Sequence, residues 1–277
     1  MEFDRQRFEA AWQQRQQSGL SFLPEQLHVF ETLPSTNRTL WDLIEQGAEP
    51  GTTVIALQQQ AGRGQWGRQW QSPLGGLYLS WAIAPQLPVS QGAQLTLCSA
   101  WGIATQLRTL GIPVLIKWPN DLVLQGRKLG GILTESRLYQ GQISKAVIGV
   151  GINWSNPVPE TGINLQSYLM QEPDPPLQSL EDLIVIVLQG LITGYNSWQQ
   201  GGMEAFLPAY LELLANLGDA VVVDNRAGVV VGVSPDGDLQ VRLSPLDPDL
   251  DADENPISST ASAEISLKPG TISLGYR

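Results

Sequence analysis

The chain has 277 residues, 27 acidic against 16 basic for a net charge of −11, with 42% hydrophobic and 16% charged side chains. This length and composition suit one large domain plus a small one around a real core, and the acidity argues against a surface that grips nucleic acid or anionic lipid throughout. A single cysteine, Cys98, excludes an internal disulfide and a cysteine-rich zinc site, and a single histidine, His28, excludes a two-histidine metal motif.

Met1 to Gln17 is polar, lacks the apolar core of a secretory signal, and reads from Phe3 as a short amphipathic helix. The longest aliphatic run, Leu183 to Leu188, is far too short to span a bilayer, so a soluble, cytoplasmic protein with no membrane partner is expected. His28 to Thr32 predicts a strand and places the histidine at its start rather than in a catalytic triad. Ser35-Thr36-Asn37 then offers N-cap hydroxyls to a helix over Asn37 to Gln46, which Gly47 closes. Thr52 to Leu57 is β-branched and strand-like. Gln58 to Leu74 has no periodicity and is longer than a plain connection needs, which favours a functional loop.

Gly76 to Ala84 reads as a buried strand, and Ser90 to Leu110 as a helix in which Cys98 is a buried structural thiol. Val114 to Trp118 is a strand, Leu122 to Leu124 pairs with Lys128 to Glu135 across Gln125-Gly126-Arg127, and Ser144 to Asn153 is an apolar strand ending in glycines. Helices follow over Leu180 to Trp198 and Met203 to Leu217. From Gly218 the texture changes to short strands: Ala220 to Asp224, Gly228 to Val233, Leu239 to Leu243, Glu264 to Lys268 and Thr271 to Leu274. They predict a small β-barrel, so the chain divides into domains at 1–217 and 218–277. Asp247 to Glu254 interrupts the barrel as a solvated acidic insertion, lacking the glycine and the final acid of a calcium loop.

Charge is unevenly spread. Between Ala61 and Val150 eight bases face only Asp121 and Glu135, a local surplus of six in an acidic chain. That suggests a site for an anionic ligand, although charge alone fits a solvated basic face equally well. Within this region the segment Gln58 to Trp70 interleaves Gly62, Gly64 and Gly67 with Arg63 and Arg68, so backbone N–H groups and guanidinium groups could meet phosphate oxygens. It is neither a Walker loop nor a dinucleotide fingerprint; stacking on single-stranded nucleic acid is the rival reading. Lys117-Trp-Pro-Asn-Asp121 puts a lysine at the end of a strand, where it could hold a carboxylate or phosphate oxygen. Gly130-Gly131 and Gly149-Val-Gly151 forfeit side-chain packing inside strands, for close approach of a ligand or for a bulge.

In order, Ser35-Thr36-Asn37, Gln59-Gln-Ala-Gly-Arg-Gly64, Trp70, Lys117-Trp-Pro-Asn-Asp121, Arg127-Lys-Leu-Gly-Gly-Ile-Leu133, Gly149-Val-Gly-Ile-Asn153 and Glu264-Ile-Ser-Leu267 form a series that resembles the biotin protein ligases from about Phe30 onward. The resemblance implies an α+β fold, a mixed β-sheet catalytic domain of the biotin/lipoate ligase type with helices on one side, followed by an SH3-like β-barrel. It implies a two-step reaction: biotin and Mg-ATP give biotinyl-5′-AMP and pyrophosphate, and a lysine of a biotin carboxyl carrier protein, the acetyl-CoA carboxylase subunit, then displaces AMP. Carried over, Ser35, Thr36, Asn37 and Gln59 bind the ureido and ring end of biotin, and Gly131, Gly149 and Gly151 let backbone line its pocket. Arg63, Gly64 and Gln65 lie in the loop that closes over the intermediate. Lys117 meets the biotin carboxylate and the α-phosphate and is, with Arg63, the expected catalytic residue. Arg63, Gln65, Arg68, Trp70, Lys117 and Asn153 face the nucleotide, Asn153 near its magnesium, with no metal ligand set built from the protein. Asn120, Asp121 and Lys128 stand behind the site or toward the carrier. Family members often pair through the catalytic sheet, which would make a homodimer.

Three departures stand out. Many members have Arg where this chain has Gln65, which predicts faster escape of the adenylate. Ala263 stands where Gly usually precedes Glu-Ile-Ser, and the acidic insertion is unusual. The stretch before the His28 strand is too short for a winged helix-turn-helix and has no basic recognition helix, so a ligase without repressor function or nucleic-acid partner is expected. The alternatives are a lipoate ligase or octanoyl transferase, a single-stranded nucleic-acid binder, and an inactive biotin sensor.

Overall fold

The computed structural model describes residues 2–16, 26–245, 263–272 and 274–276; the insertion Asp247 to Glu254 lies outside them. In chain order the elements are α1 (Arg5–Gln16), β1 (Leu27–Leu33), α2 (Thr36–Glu45), β2 (Thr53–Gln59), β3 (Gly76–Ile83), β4 (Leu87–Pro88), α3 (Gly92–Thr109), β5 (Leu115–Lys117), β6 (Asp121–Leu124), β7 (Arg127–Tyr139), β8 (Gln142–Asn153), α4 (Leu165–Leu169), α5 (Leu180–Leu211), β9 (Ala220–Val223), β10 (Arg226–Val233), β11 (Leu239–Leu243) and β12 (Glu264–Leu267). The first eight strands form one sheet in the order β1-β2-β3-β8-β7-β6-β5, with β4 beside β8. Only β1 and β2 run parallel, joined through α2; the other pairs are antiparallel, which makes the sheet mixed, as expected.

Successive side chains of a strand point to opposite faces, and the two faces here are built differently. On one, Ile55, Leu77, Leu79, Ile148, Val150 and Ile152 pack under α1, α3 and α5 in the main core. Helices α3 and α5 approach closely because Gly102 meets Gly190 and Gly194 meets Cys98; a Cβ on Gly102 would stand 2.0 Å from the Gly190 carbonyl oxygen. Cys98 is fully buried there, and burial pushes its thiol up to about 12, as befits a structural residue. On the other face α2 buries Leu40, Trp41 and Ile44 against Val54, Ala82 and Val147 in a small second cluster. The expectation of helices on one side is therefore corrected: α2 lies on the face opposite the other long helices, because Val54, Ala82 and Val147 alternate with the residues of the main core.

Two further boundaries differ. Helix α5 runs to Leu211 with a break at Gly202 (φ 66°, ψ 178°), and the helix expected to reach Leu217 ends early because residues 213–215 pair along the β5 edge, Ile116 N–H donating to Leu213 O and Ala215 N–H to Ile116 O. The second sheet is four-stranded and antiparallel, in the order β12-β11-β10-β9. The strand expected over Thr271 to Leu274 is absent at Thr271, Ile272 and Leu274, and Ser273 lies outside the described residues; this segment crosses to the first sheet instead. The β10–β11 loop also docks on the first sheet's unit, Trp118 Nε1 donating to Gly237 O at 2.9 Å and Gln94 Nε2 to Pro235 O at 2.8 Å. No helix among the described residues is long and apolar enough to cross a membrane.

Candidate active site

The register of the sheet lays the singled-out residues along a single row. Tyr78 on β3 pairs with Gly151 on β8, Gly151 with Gly131 on β7, Gly131 with Asp121 on β6, and Asp121 with Lys117 on β5. The next row is Ser80, Gly149 and Leu133. Both rows lie on the α2 face, beyond the patch that α2 covers. With glycines at their centre, the rows let other groups come down onto backbone, the Asn37 carboxamide onto Gly149 and Trp70 onto Gly151, and Gly131, Gly149 and Gly151 all line a cavity of about 420 Å³. The competing explanation, a bulge, does not apply to Gly149 and Gly151, since the β3–β8 register runs unbroken from Gly76 to Ile83. A register shift between β6 and β7 does lie beside Gly130.

One end of the cavity is walled by the neutral polar residues Ser35, Thr36, Asn37 and Gln59, with the Arg63–Glu135 ion pair joined to Asn37. The helix α2 begins here, and Ser35 takes its N-cap position without making a side-chain cap bond, contrary to expectation. Gln59 from β2 supplies the acceptor instead: its Oε1 takes the Thr36 N–H at 2.9 Å, with Thr36 Oγ1 at 3.2 Å, while its Nε2 donates to Ser72 Oγ. Ser80 Oγ lies 2.8 Å from Thr36 Oγ1 and 2.6 Å from Asn37 Oδ1. Asn37 Nδ2 donates to Glu135 Oε2 at 2.8 Å, and the same oxygen accepts from Arg63 Nη2 at 2.9 Å. The space above Gly149 is filled by the Asn37 carboxamide; a Cβ there would stand 2.2 Å from Asn37 Oδ1. This network fixes the donors and acceptors of Thr36, Asn37 and Gln59, which share the cavity wall with Ser35, before any ligand arrives.

The other end is cationic. Lys117 is only 7% exposed, and Lys128, Arg68 and Asp121 line the cavity beside it. Burial pulls the Lys117 ammonium down to about 8, with Lys128 and Arg68 pushing the same way and Asp121 opposing them. An anion bound here would relieve that repulsion. Asp121 is held by Lys128 Nζ at 2.6 Å. From Ser80 to Lys117 the rows cross four strand spacings, roughly 19 Å. The floor therefore suits an elongated ligand with an uncharged polar head and an anionic tail.

The loop Gln60–Gly75 forms the wall. It folds back on itself, Gly64 N–H donating to Arg68 O at 2.7 Å, Arg68 N–H to Gln65 O and Trp70 N–H to Gly62 O. The backbone donors expected to face a phosphate are thus engaged inside the loop at Gly64 and Arg68 in this conformation. Gly64, Gln65, Arg68 and Trp70 all line the cavity. Trp70 lies across Gly151, where a Cβ would meet its Nε1 at 2.5 Å, and Lys128 Nζ sits 5.3 Å from its ring centroid. Asn153 alone among the expected site residues is not on the wall; its carboxamide donates to Lys128 O and accepts from Asn156. His28 is half-buried on β1, away from the end of that strand that reaches Gln59.

Residues 29–153 match the family model of the Biotin/lipoate A/B protein ligase family. They are a biotin/lipoate A/B protein ligase domain. The chain is 37% identical over 131 residues to the Bifunctional ligase/repressor BirA of Bacillus subtilis, covering 47% of this chain and 40% of that one. It is 36% identical over 188 residues to the protein of that name from Escherichia coli, covering 67% and 58%. The chain thus spans about half the length of these curated relatives. The solved structure of the biotin protein ligase from Aquifex aeolicus in complex with biotin and ATP shares the fold, with a TM-score of 0.67 at 24% identity over 91% of this chain and 99% of that one.

Three participants in the site escape the sequence reading. Ser80 could have been found by strand parity, as the residue facing Gly149. Glu135 was counted only as an opposing charge, yet it joins Arg63 to Asn37. The segment after β12 carried no signal at all: Thr271, Ile272 and Leu274 line the cavity, and Gly270 lies against the Trp66 ring.

Proposed function

We propose that the chain is a biotin–[biotin carboxyl-carrier protein] ligase that activates biotin with ATP and passes it to a lysine of a carrier protein. What supports this most directly is the glycine-floored row that ends in the buried Lys117, within a biotin/lipoate ligase domain. Relatives named ligases at 36–37% identity favour the same reading, which concerns the ligase half of those names alone. The uncharged end, with Ser35, Thr36, Asn37 and Gln59, would take the ureido ring. The valeryl chain would run past Gly149, Gly151 and Gly131, beside the Asn37 and Trp70 side chains that overlie the first two, and the carboxylate would reach Lys117.

In the first step a carboxylate oxygen attacks the α-phosphorus of ATP and pyrophosphate leaves. A carboxylate needs no general base, so the protein's task is to hold two anions in contact. Lys117, Arg63 and Arg68 would offset their repulsion. Arg63 must first exchange Glu135 for the nucleotide. In the second step a neutral lysine amine of the carrier attacks the acyl carbon, AMP leaves, and the amine proton passes to solvent or phosphate. Gln65, Trp70 and the loop around them would shield the mixed anhydride from water. Among the described residues no three His, Cys, Asp or Glu side chains gather to hold a metal. Magnesium would enter as the counter-ion of the nucleotide, neutralising phosphate charge while keeping most of its waters. ATP as substrate would place the reaction in the cytoplasm. We assign residues 1–217 to the catalytic domain and 218–277 to the small β domain.

The test is exchange of pyrophosphate into ATP with biotin or lipoate, using Lys117→Ala as the control. Exchange with biotin alone, lost in the variant, is expected. Exchange with lipoate alone, or with neither acid from folded protein, would overturn the assignment.

A further inference from the structure

The segment that follows β12 does more than roof the cavity. Tyr276 stacks its ring on Lys117, with Nζ 3.4 Å from the ring centroid, and its hydroxyl donates to Asp121 Oδ2. Asp121 Oδ1 is taken by Lys128 Nζ. Lys117 and Asp121 are direct cross-strand partners, so a single side chain from outside the sheet touches both members of one pair. Tyr276 is not itself among the residues that line the cavity, whereas Lys117 and Asp121 are.

This arrangement solves a problem that the sheet creates. A carboxylate directly opposite a lysine is the natural partner for its ammonium, and an ion pair there would compete with any anionic ligand. An aromatic face can hold the ammonium without neutralising it and leaves N–H groups to donate elsewhere. A phenol hydroxyl, meanwhile, satisfies the carboxylate oxygen that would otherwise turn to the lysine. Burial first, and the Asp121 carboxylate second, raise the phenol pKa above its ordinary value, so the hydroxyl remains a donor through the neutral range. The groups that bear on Lys117 are Asp121, Lys128 and Arg68, together with this ring.

We propose that Tyr276 is a positioning residue of the active site: its ring seats the Lys117 ammonium and its hydroxyl occupies Asp121, which keeps the lysine available to the anionic end of the substrate. The substrate clause rests on the ligase reading; the seating of Lys117 does not. The segment after β12 is on this account part of the acid-activating site.

Two measurements on Tyr276→Leu, Tyr276→Phe and the double variant Tyr276→Leu/Asp121→Asn test it. The first is the pH midpoint for acylation of Lys117 by acetic anhydride, read by mass spectrometry in protein shown to be folded, with no biotin present. In Tyr276→Leu the lysine closes onto Asp121 and the midpoint should rise by about one unit; in the double variant it should fall back. Tyr276→Phe, which keeps the ring, should lie between the wild type and Tyr276→Leu. The second is the KM for biotin in pyrophosphate exchange, expected to rise about tenfold in Tyr276→Leu with a smaller change in kcat, and to recover in the double variant. A midpoint that does not move, or one that moves equally with Asp121 neutralised, overturns the proposal. Absence of biotin-dependent exchange in the wild type would overturn the ligase reading alone, because the midpoint still decides whether Tyr276 seats Lys117.

Discussion

The two faces of the eight-stranded sheet are made by the same strands and do opposite things. On β8, Ile148, Val150 and Ile152 enter the main core, while Gly149 and Gly151, one residue along in each case, give up their own side chains so that the Asn37 carboxamide and Trp70 can lie on backbone beside the cavity. The packed face is covered by α1, α3 and α5, while α2 covers only part of the other. Side chains on the first face are selected for volume, and their removal should cost stability. Positions on the second are selected for the absence of volume, and filling them should cost binding. A strand with period two lets both demands be met without compromise between them.

The largest effect is expected at Lys117, the cation at the end of the glycine row. Lys117→Ala should lower the rate of biotin-dependent exchange by about a hundredfold or more, the usual effect of removing a positioned charge at a reacting centre. Melting temperature should hold or rise, because a cation disfavoured by burial has gone. The pH dependence carries the same information. The ammonium persists below its pKa of about 8, so kcat/KM for the wild type should fall about tenfold per unit above that pH. An ordinary lysine would sustain activity some two units higher.

A neighbouring pair of variants sharpens the contrast. Ile148→Ala should cost about 2–5 kcal/mol in urea unfolding with the KM for biotin unchanged. Gly149→Ala should do the reverse: its Cβ would displace the Asn37 carboxamide, raising KM about tenfold for a small loss of stability. Equal effects of the two on KM would show that the faces are not separate. The smallest effect is expected on the wall. Gln65 stands in the loop beside Arg63 and Arg68, and Gln65→Arg adds a third cation to this wall, where the proposed function would put the adenylate phosphate. Release of biotinyl-AMP in single-turnover experiments should slow a few-fold, and equal retention would remove any role for that position.

Much of the site was legible before the fold was known, because its chemistry is concentrated in short runs. The glycine–arginine loop, Lys117 to Asp121, and Gly131, Gly149 and Gly151 are local signals that reach one cavity, whereas Gly130 of the first glycine pair does not line it. Glycines in apolar strands pointed to close approach without saying which face they shared. Where local signals overreached, longer contacts had intervened. Ser35 does not cap α2 through its side chain because Gln59, from the neighbouring strand, supplies the acceptor, and the helix expected to reach Leu217 stops where residues 213–215 find a strand edge.

The amino-acid order alone was enough for the glycines of the apolar strands and the cationic loop, which depend on residues a few positions apart, and for the family resemblance, which needs only the order of such motifs along the chain. It could not place Tyr276 on Lys117 across 158 intervening positions, nor join Arg63 to Asn37 through Glu135. Nor could it align Tyr78, Gly151, Gly131, Asp121 and Lys117 on one row. Register is set by which side chains must be buried together, and a slip of one residue would turn every one of those groups to the opposite face. The packing of the core face therefore decides what the bare face presents.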